Sequence, residues 1–305
     1  MLKRPSRSGV NLLTRFLQFF RYLNLKTLVT IVRRAAYHRL PGLSAEIAFN
    51  AMFALFPAAL ALLSAIGLFE ISEVNFRSLT NQLSQVIPEQ AVILTRDALQ
   101  YLRSSSSQSL FSLSFLAAIW VSSSVTGAAM AALDQIYRIP RDRVRPFWQM
   151  KLIAIALALG TLFLLVSALL IVFISDIAVQ ILAFRSGSFA HILFQLWHHL
   201  SLPIALSIVA LALGFIYRYG TSRWRHGRPI MPGAILAALL WAVLSGLLRF
   251  YVSYISNFAQ VYGAIGAVIV LLLWLYFSAF SMLLGGLFNS IVGEAMQKKV
   301  EQRRN

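Results

Sequence analysis

The sequence predicts an all-α polytopic membrane protein, six transmembrane helices with amphipathic helices at the interface. Three observations carry this. The 305-residue chain is 59% hydrophobic, has a mean hydropathy of +0.73 and is only 12% charged, where soluble chains carry about 25% charged residues. Six runs are long and apolar enough to cross a hydrocarbon core, which takes roughly 20 residues each. Lysine and arginine also fall almost wholly between alternate runs. The boundaries that follow are a basic amphipathic segment over 1–43, a six-helix membrane domain over 44–293, and a basic tail over 294–305.

The first 43 residues hold nine Lys/Arg and no acid. Leu12, Phe16, Phe19, Phe20 and Leu23 recur at helical spacing, with Arg15, Gln18, Tyr22 and later Arg33 and Arg34 between them. This predicts one or two helices on the inner leaflet, held by acidic lipid and buried aromatics. The aromatics form one apolar face rather than a dispersed stacking set, which disfavours a nucleic-acid arm. No short apolar core with a cleavage site follows, so a retained anchor is expected rather than a removable signal. Pro41-Gly42 is expected to break the chain before the first crossing.

That crossing is Ser44–Phe69. It carries Glu46, the one acid within the apolar runs as the sequence delimits them, with Asn50, Phe53 and Pro57 on the same helical face. Lipid cannot solvate such a face, so neighbouring helices are expected to cover it. A long outer loop over 70–108 follows, with two amphipathic helices that do not cross. The second crossing, about 109–133, is rich in small residues (Ser122, Ser123, Ser124, Thr126, Gly127) and so belongs inside the bundle. The third is about 151–175, the fourth lies within 190–219, the fifth is about 230–256 and the sixth about 263–292.

Six crossings put both termini on one side. On that side the amino-terminal segment, the 134–151 loop, the 218–229 loop and the tail hold nine, five, four and four Lys/Arg. The other side holds Arg77, Arg96, Arg103, Arg185 and Arg249. The bias places both termini in the cytoplasm. It also accounts for the net charge of +17 without nucleic acid as a partner. There is no cysteine, so disulfides and thiolate metal sites are excluded.

Several motifs recur in order. They are the Ala45-Glu46-Ile47-Ala48-Phe49 segment followed by Leu55-Phe56-Pro57; Ala132-Leu133-Asp134-Gln135-Ile136-Tyr137 with Arg145-Pro146-Phe147-Trp148; Pro232-Gly233-Ala234; Tyr262-Gly263-Ala264-Ile265-Gly266 with Leu273-Trp274-Leu275-Tyr276; and Leu283-Leu284-Gly285-Gly286-Leu287-Phe288-Asn289. Together they resemble the YihY/virulence factor BrkB family, once labelled ribonuclease BN, over roughly residues 30–293. The resemblance implies a six-helix bacterial inner-membrane protein, with transport or envelope-lipid handling the suspected activity. Asp134 stands where the family usually has Asn, and Leu287 where its closing motif has Glu. A proton-carrying role for that Glu does not transfer.

Candidate cavity or coupling residues are Glu46, Asn50, Pro57, Ser123, Thr126, Trp274, Tyr276 and Asn289. Glu46 has two readings, a titrating group facing a cavity or an acid near the inner headgroups favoured by the helix dipole. Ser123 and Thr126 mark either tight packing or a cavity lining. Trp274 and Tyr276 fall near mid-membrane, where their polar atoms need partners and Asn257, Gln260 and Asn289 are too far along to serve. Arg33, Arg34, Arg141, Arg143 and Arg145 are candidate anionic-lipid contacts. His191, Gln195, His198 and His199 share much of one face, but a metal site usually adds a carboxylate and only Asp176 is close in sequence; beside Trp197 the histidines read as outer-interface residues, and no metal and no cofactor is expected.

Three function classes follow. A transporter-like protein handling an envelope lipid or amphiphilic anion fits the proline-interrupted helices (Pro57, Pro203) and the basic inner loops. A non-transporting structural or scaffold membrane protein is the alternative, and under either reading the partners are inner-leaflet anionic lipids and a possible second copy of the chain. A ribonuclease needs clustered carboxylates or paired acid–base groups, whereas Asp134, Asp142, Glu294 and Glu301 are scattered among basic residues.

Overall fold

The computed structural model describes residues 25–68, 108–185, 187–223, 230–254 and 258–302. In chain order the helices are α1 (Leu25–Tyr37), α2 (Leu40–Leu68), α3 (Gln108–Ile136), α4 (Phe147–Arg185), α5 (Gly187–Gly220), α6 (Met231–Tyr254) and α7 (Phe258–Gln302). Helices α2 to α7 are each long and apolar enough to cross a membrane. The protein is an all-α, multi-spanning fold.

The six long helices close a ring. Each of α2 to α6 packs on the next, and α7 packs back on α2. Short α1 lies across α2 and α7. It buries Ile31 and leaves Val29, Val32 and Tyr37 exposed, with His38 buried just past its end, the pattern of an interfacial helix.

The core is concentrated in one half of the ring. On α3 the buried side chains run from Ser123 to Ile136, on α5 from Ala210 to Thr221, on α6 chiefly from Gly233 to Ala238, and on α7 from Ala279 to Gly293. This half holds α1, the α3–α4 connection and the starts of α2 and α6. It is therefore the end at which the described basic residues gather. In the opposite half, the described side chains of α3 before Ser123 and of α5 before Ala210 are exposed or half-exposed. On α7 between Ile265 and Ser278, and on α6 beyond Ala238, only Gly266 and Leu248 are buried among the described side chains.

Four details differ from the sequence expectation. Pro41-Gly42 sits inside the first turn of α2, where proline loses no helical hydrogen bond. The break falls instead at His38-Arg39, with Arg39 at φ 53°. Helix α4 begins at Phe147, so Lys151 lies in the helix rather than in the loop. Helix α7 continues to Gln302, and Glu294 in this extension is tied to Arg34 of α1. The fourth concerns α2. Its packed face is Ser44, Ile47, Ala48 and Ala54, while Glu46, Phe49, Phe53 and Phe56 are exposed. Small side chains permit close helix approach and bulky phenylalanines face lipid at little cost, so the face expected to be covered points outward. The expected amphipathic stretch before Leu25 and the outer loop lie outside the described residues.

Candidate functional site

Three polar fasteners lock the closed end. The first ties α1 to α7. Arg34 donates from Nη1 and Nη2 to Glu294 Oε1 and Oε2 at 2.9 and 2.6 Å, a bidentate pair. Those hydrogen bonds raise the Arg34 pKa above its ordinary value. Beside it His38 is 3% exposed and its Nε2 has no hydrogen-bond partner. Burial lowers the His38 pKa, and the charges of Arg138 and Arg34 lower it further against the opposing pull of Glu294.

The second fastener joins the α3–α4 and α5–α6 connections. Buried Asp134 accepts from the Ser222 amide at 2.7 Å and from the Ser222 hydroxyl. Arg145 donates from its amide to Ser222 Oγ at 3.3 Å. Its guanidinium donates to the carbonyls of Tyr219 and Gly220 at 3.0 and 3.5 Å, satisfying the open carboxyl end of α5. A carboxylate, rather than the family's usual amide, suits this position because both of its oxygens receive donors.

The third is the α5–α6–α7 junction. Tyr217, fully buried, donates its hydroxyl to the Met282 carbonyl at 2.6 Å. Asn289, also fully buried, accepts from the Gly233 amide at 2.8 Å and donates to the Ile230 carbonyl at 2.9 Å. It thereby fixes the amino end of α6, whose first amides have no partner in their own helix. A Cβ added at Gly285 would press on the Gly233 carbonyl and lie 2.6 Å from the Tyr217 hydroxyl. Only glycine at both positions lets the backbones meet.

In the opposite half two indoles tie α6 to α7. Trp241 Nε1 donates to Ser278 Oγ at 3.0 Å, and Trp274 Nε1 donates to Ser245 Oγ at 3.2 Å. Each helix of the α6–α7 pair thus gives one indole and one hydroxyl. These serines are the partners that Trp274 needs, one helix away rather than along its own.

The candidates named from sequence do not converge on one point. Ser123 and Thr126 are buried and return their hydroxyls to the carbonyls of Trp120 and Ser122 on their own helix. Asn50 donates to the Glu46 carbonyl, also within one helix. Pro57 is half-buried in α2, and Tyr276 stacks on Phe280 within α7. Of the arginines, Arg33, Arg141 and Arg143 are exposed, whereas Arg34 and Arg145 are engaged as above. The side chains of His191, Gln195, His198 and His199 lie outside the described residues. Among the described residues no three His, Asp or Glu side chains are grouped closely enough to hold a metal ion. Sequence reasoning missed Tyr217, Ser222 and the two serines. A tyrosine inside an otherwise apolar run was the available signal for the first.

The model of the Virulence factor BrkB family matches residues 31–305. The chain belongs to the BrkB family. This BrkB-family chain is 26% identical over 260 residues to the ribonuclease-like protein YfkH of Bacillus subtilis (strain 168), covering 85% of this chain and 92% of that one. It is 28% identical over 275 residues to a UPF0761 membrane protein of Stenotrophomonas maltophilia (strain K279a), covering 87% of this chain but only 60% of that longer relative. No solved structure matches the chain. Family and fold together make it an integral membrane protein.

Proposed function

We propose that this protein is transporter-like and handles an amphiphilic anion, an envelope lipid or a solute of similar build, with both termini in the cytoplasm of an inner membrane. The observation that carries the reading is the unequal ring, which is fastened by buried polar contacts at the basic end and lightly packed at the other. Such a ring is suited to hold a vestibule open to the outer side. The basic residues at the fastened end support its assignment to the cytoplasm. The dispersal of the acids argues against an RNA-cleaving centre. Asp134 is held by Ser222, Glu294 is held by Arg34, and Asp142 lies exposed 3.5 Å from Arg143. The ribonuclease-like name belongs to the relative.

The test is reconstitution into vesicles with headgroup-labelled phosphatidylglycerol. Faster exchange between leaflets than in protein-free vesicles is expected. Identical rates, across several acidic lipids, would sink the transporter reading. A scaffold is the second reading, favoured by the outward position of Glu46. It predicts no exchange and an intact bundle.

A further inference from the structure

We infer that the α3–α4 seam around Lys151 is a binding site for the acidic headgroup of a lipid or lipid-like amphiphile that enters sideways from the bilayer. Lys151 lies in the first turns of α4, within a membrane-spanning run. Its ammonium reaches α3, where it donates to the Trp120 carbonyl at 3.2 Å and to Ser124 Oγ at 3.5 Å. It also sits 4.2 Å from the centroid of the Trp120 ring, a cation–π arrangement. Ser124 stands twelve residues before the end of α3 at Ile136, about 18 Å along the axis at 1.5 Å per residue. It is near the middle of the apolar run Phe115–Ile136. The positive charge is therefore deep, not at the headgroup level of the basic end.

A lysine at such depth is costly unless paired. The contacts of its ammonium described above are to neutral groups, a carbonyl, a hydroxyl and an indole ring. Neutral oxygens and a ring face orient the ammonium but leave its charge uncompensated. An anion in contact with the ammonium would compensate it.

The surroundings say which kind. Leu113, Leu116 and Trp120, the last 54% exposed, share the outer face of α3 with Ser124. Trp148 and Leu152 are exposed on α4 beside Lys151. A free phosphate would have to cross this apolar rim, whereas a lipid brings its acid with tails that stay in the rim. The shared chemistry is a phosphate or carboxylate oxygen accepting from the third ammonium proton.

This inference deepens the transporter reading and rests on it only for what happens after binding, so binding is measured apart from transport. The full chain in neutral detergent is titrated with acyl-chain-labelled phosphatidylglycerol and, separately, phosphatidylcholine, read by fluorescence polarisation. The wild type is expected to prefer phosphatidylglycerol by about tenfold, the scale of one charge-assisted hydrogen bond. Lys151→Met, which keeps the stem and removes the charge, is expected to abolish the preference, and Lys151→Arg to keep it. Millimolar inorganic phosphate is expected not to displace the lipid. A wild type without preference, or a Lys151→Met variant that retains it, overturns the inference, as does displacement by inorganic phosphate. Should Lys151→Met fail to fold, Lys151→Gln is read in its place, with Arg141→Gln as the control that keeps the seam; a preference lost in Arg141→Gln and kept in Lys151→Gln overturns the inference. A wild type that prefers phosphatidylglycerol yet moves no lipid in vesicles would sink transport and leave this site standing.

Discussion

The two halves of the ring are built from the same six helices and the same greasy composition, yet they are held together differently. At the basic end, Tyr217, Asp134 and Asn289 are buried side chains that each reach the backbone of another element. At the other end, α6 and α7 are joined by half-buried indole–hydroxyl pairs, and α4 reaches α3 through Lys151. In a membrane, apolar burial does not drive helices together, because lipid is as apolar as leucine. Close backbone approach and satisfied polar groups do. Among the described residues, the basic half has both.

The strongest way to break that contrast is to force the close crossing apart. Gly285→Ala is expected to destabilise the bundle by about 2–3 kcal/mol, since a backbone carbonyl rather than a flexible side chain stands in the way. Loss of thermal stability in detergent would show it. Asn289→Leu should cost about 2 kcal/mol by stranding the Gly233 amide and the Ile230 carbonyl, read in the same melt. Ser278→Ala, in the opposite half, is expected to cost under about 1 kcal/mol. If it proved as damaging as Asn289→Leu, the two halves would not differ as described.

Smaller effects sharpen the account at the α1 clasp. Arg34→Ala should release α1 while leaving the ring intact, at roughly 1 kcal/mol for a pair that is only partly buried. Hydrogen exchange in 25–37 would rise with no change in α7 near Met282. His38 supplies a pH dependence. Its folded pKa lies below the ordinary 6.5, so the docked state binds fewer protons than the undocked one. Stability from His38 is thus full above about pH 6.5 and falls as pH drops below it. Exchange in α1 should quicken on acidification through that range, and His38→Gln should flatten the response. An unchanged pH profile in His38→Gln would assign the response to another group.

Most of the fold was legible because a spanning helix announces itself by length and hydropathy. The fifth crossing, expected at about 230–256, is Met231–Tyr254, and Pro57 and Pro203 stay inside their helices as expected. Ends were less legible. Glu294 and Met296 look like tail by composition, but they extend α7, where Arg34 of α1 holds Glu294. Facing was the least legible. Glu46 looked central since a carboxylate in an apolar run demands neighbours, yet Ile47 and Ala48 beside it are the ones that pack. Which side of a helix is covered depends on where small residues meet across the bundle, as Gly233 meets Gly285. No single helix records that. Lys151 was counted as loop charge for the same reason, since its depth is set by Trp120 and Ser124 on another helix.

The proposed function requires water to reach the lightly fastened half from the outer side and to be kept from the fastened half. The chain has no native cysteine, so single cysteines report cleanly. In sealed vesicles of known orientation, Ser122→Cys and Ser245→Cys, in the lightly packed half, should react with a membrane-impermeant maleimide added from the outer side. Ser281→Cys, in the fastened half, should resist reagent from either side until the bundle is unfolded. Equal protection at all three positions, or labelling of Ser281→Cys as fast as Ser122→Cys, would contradict the account.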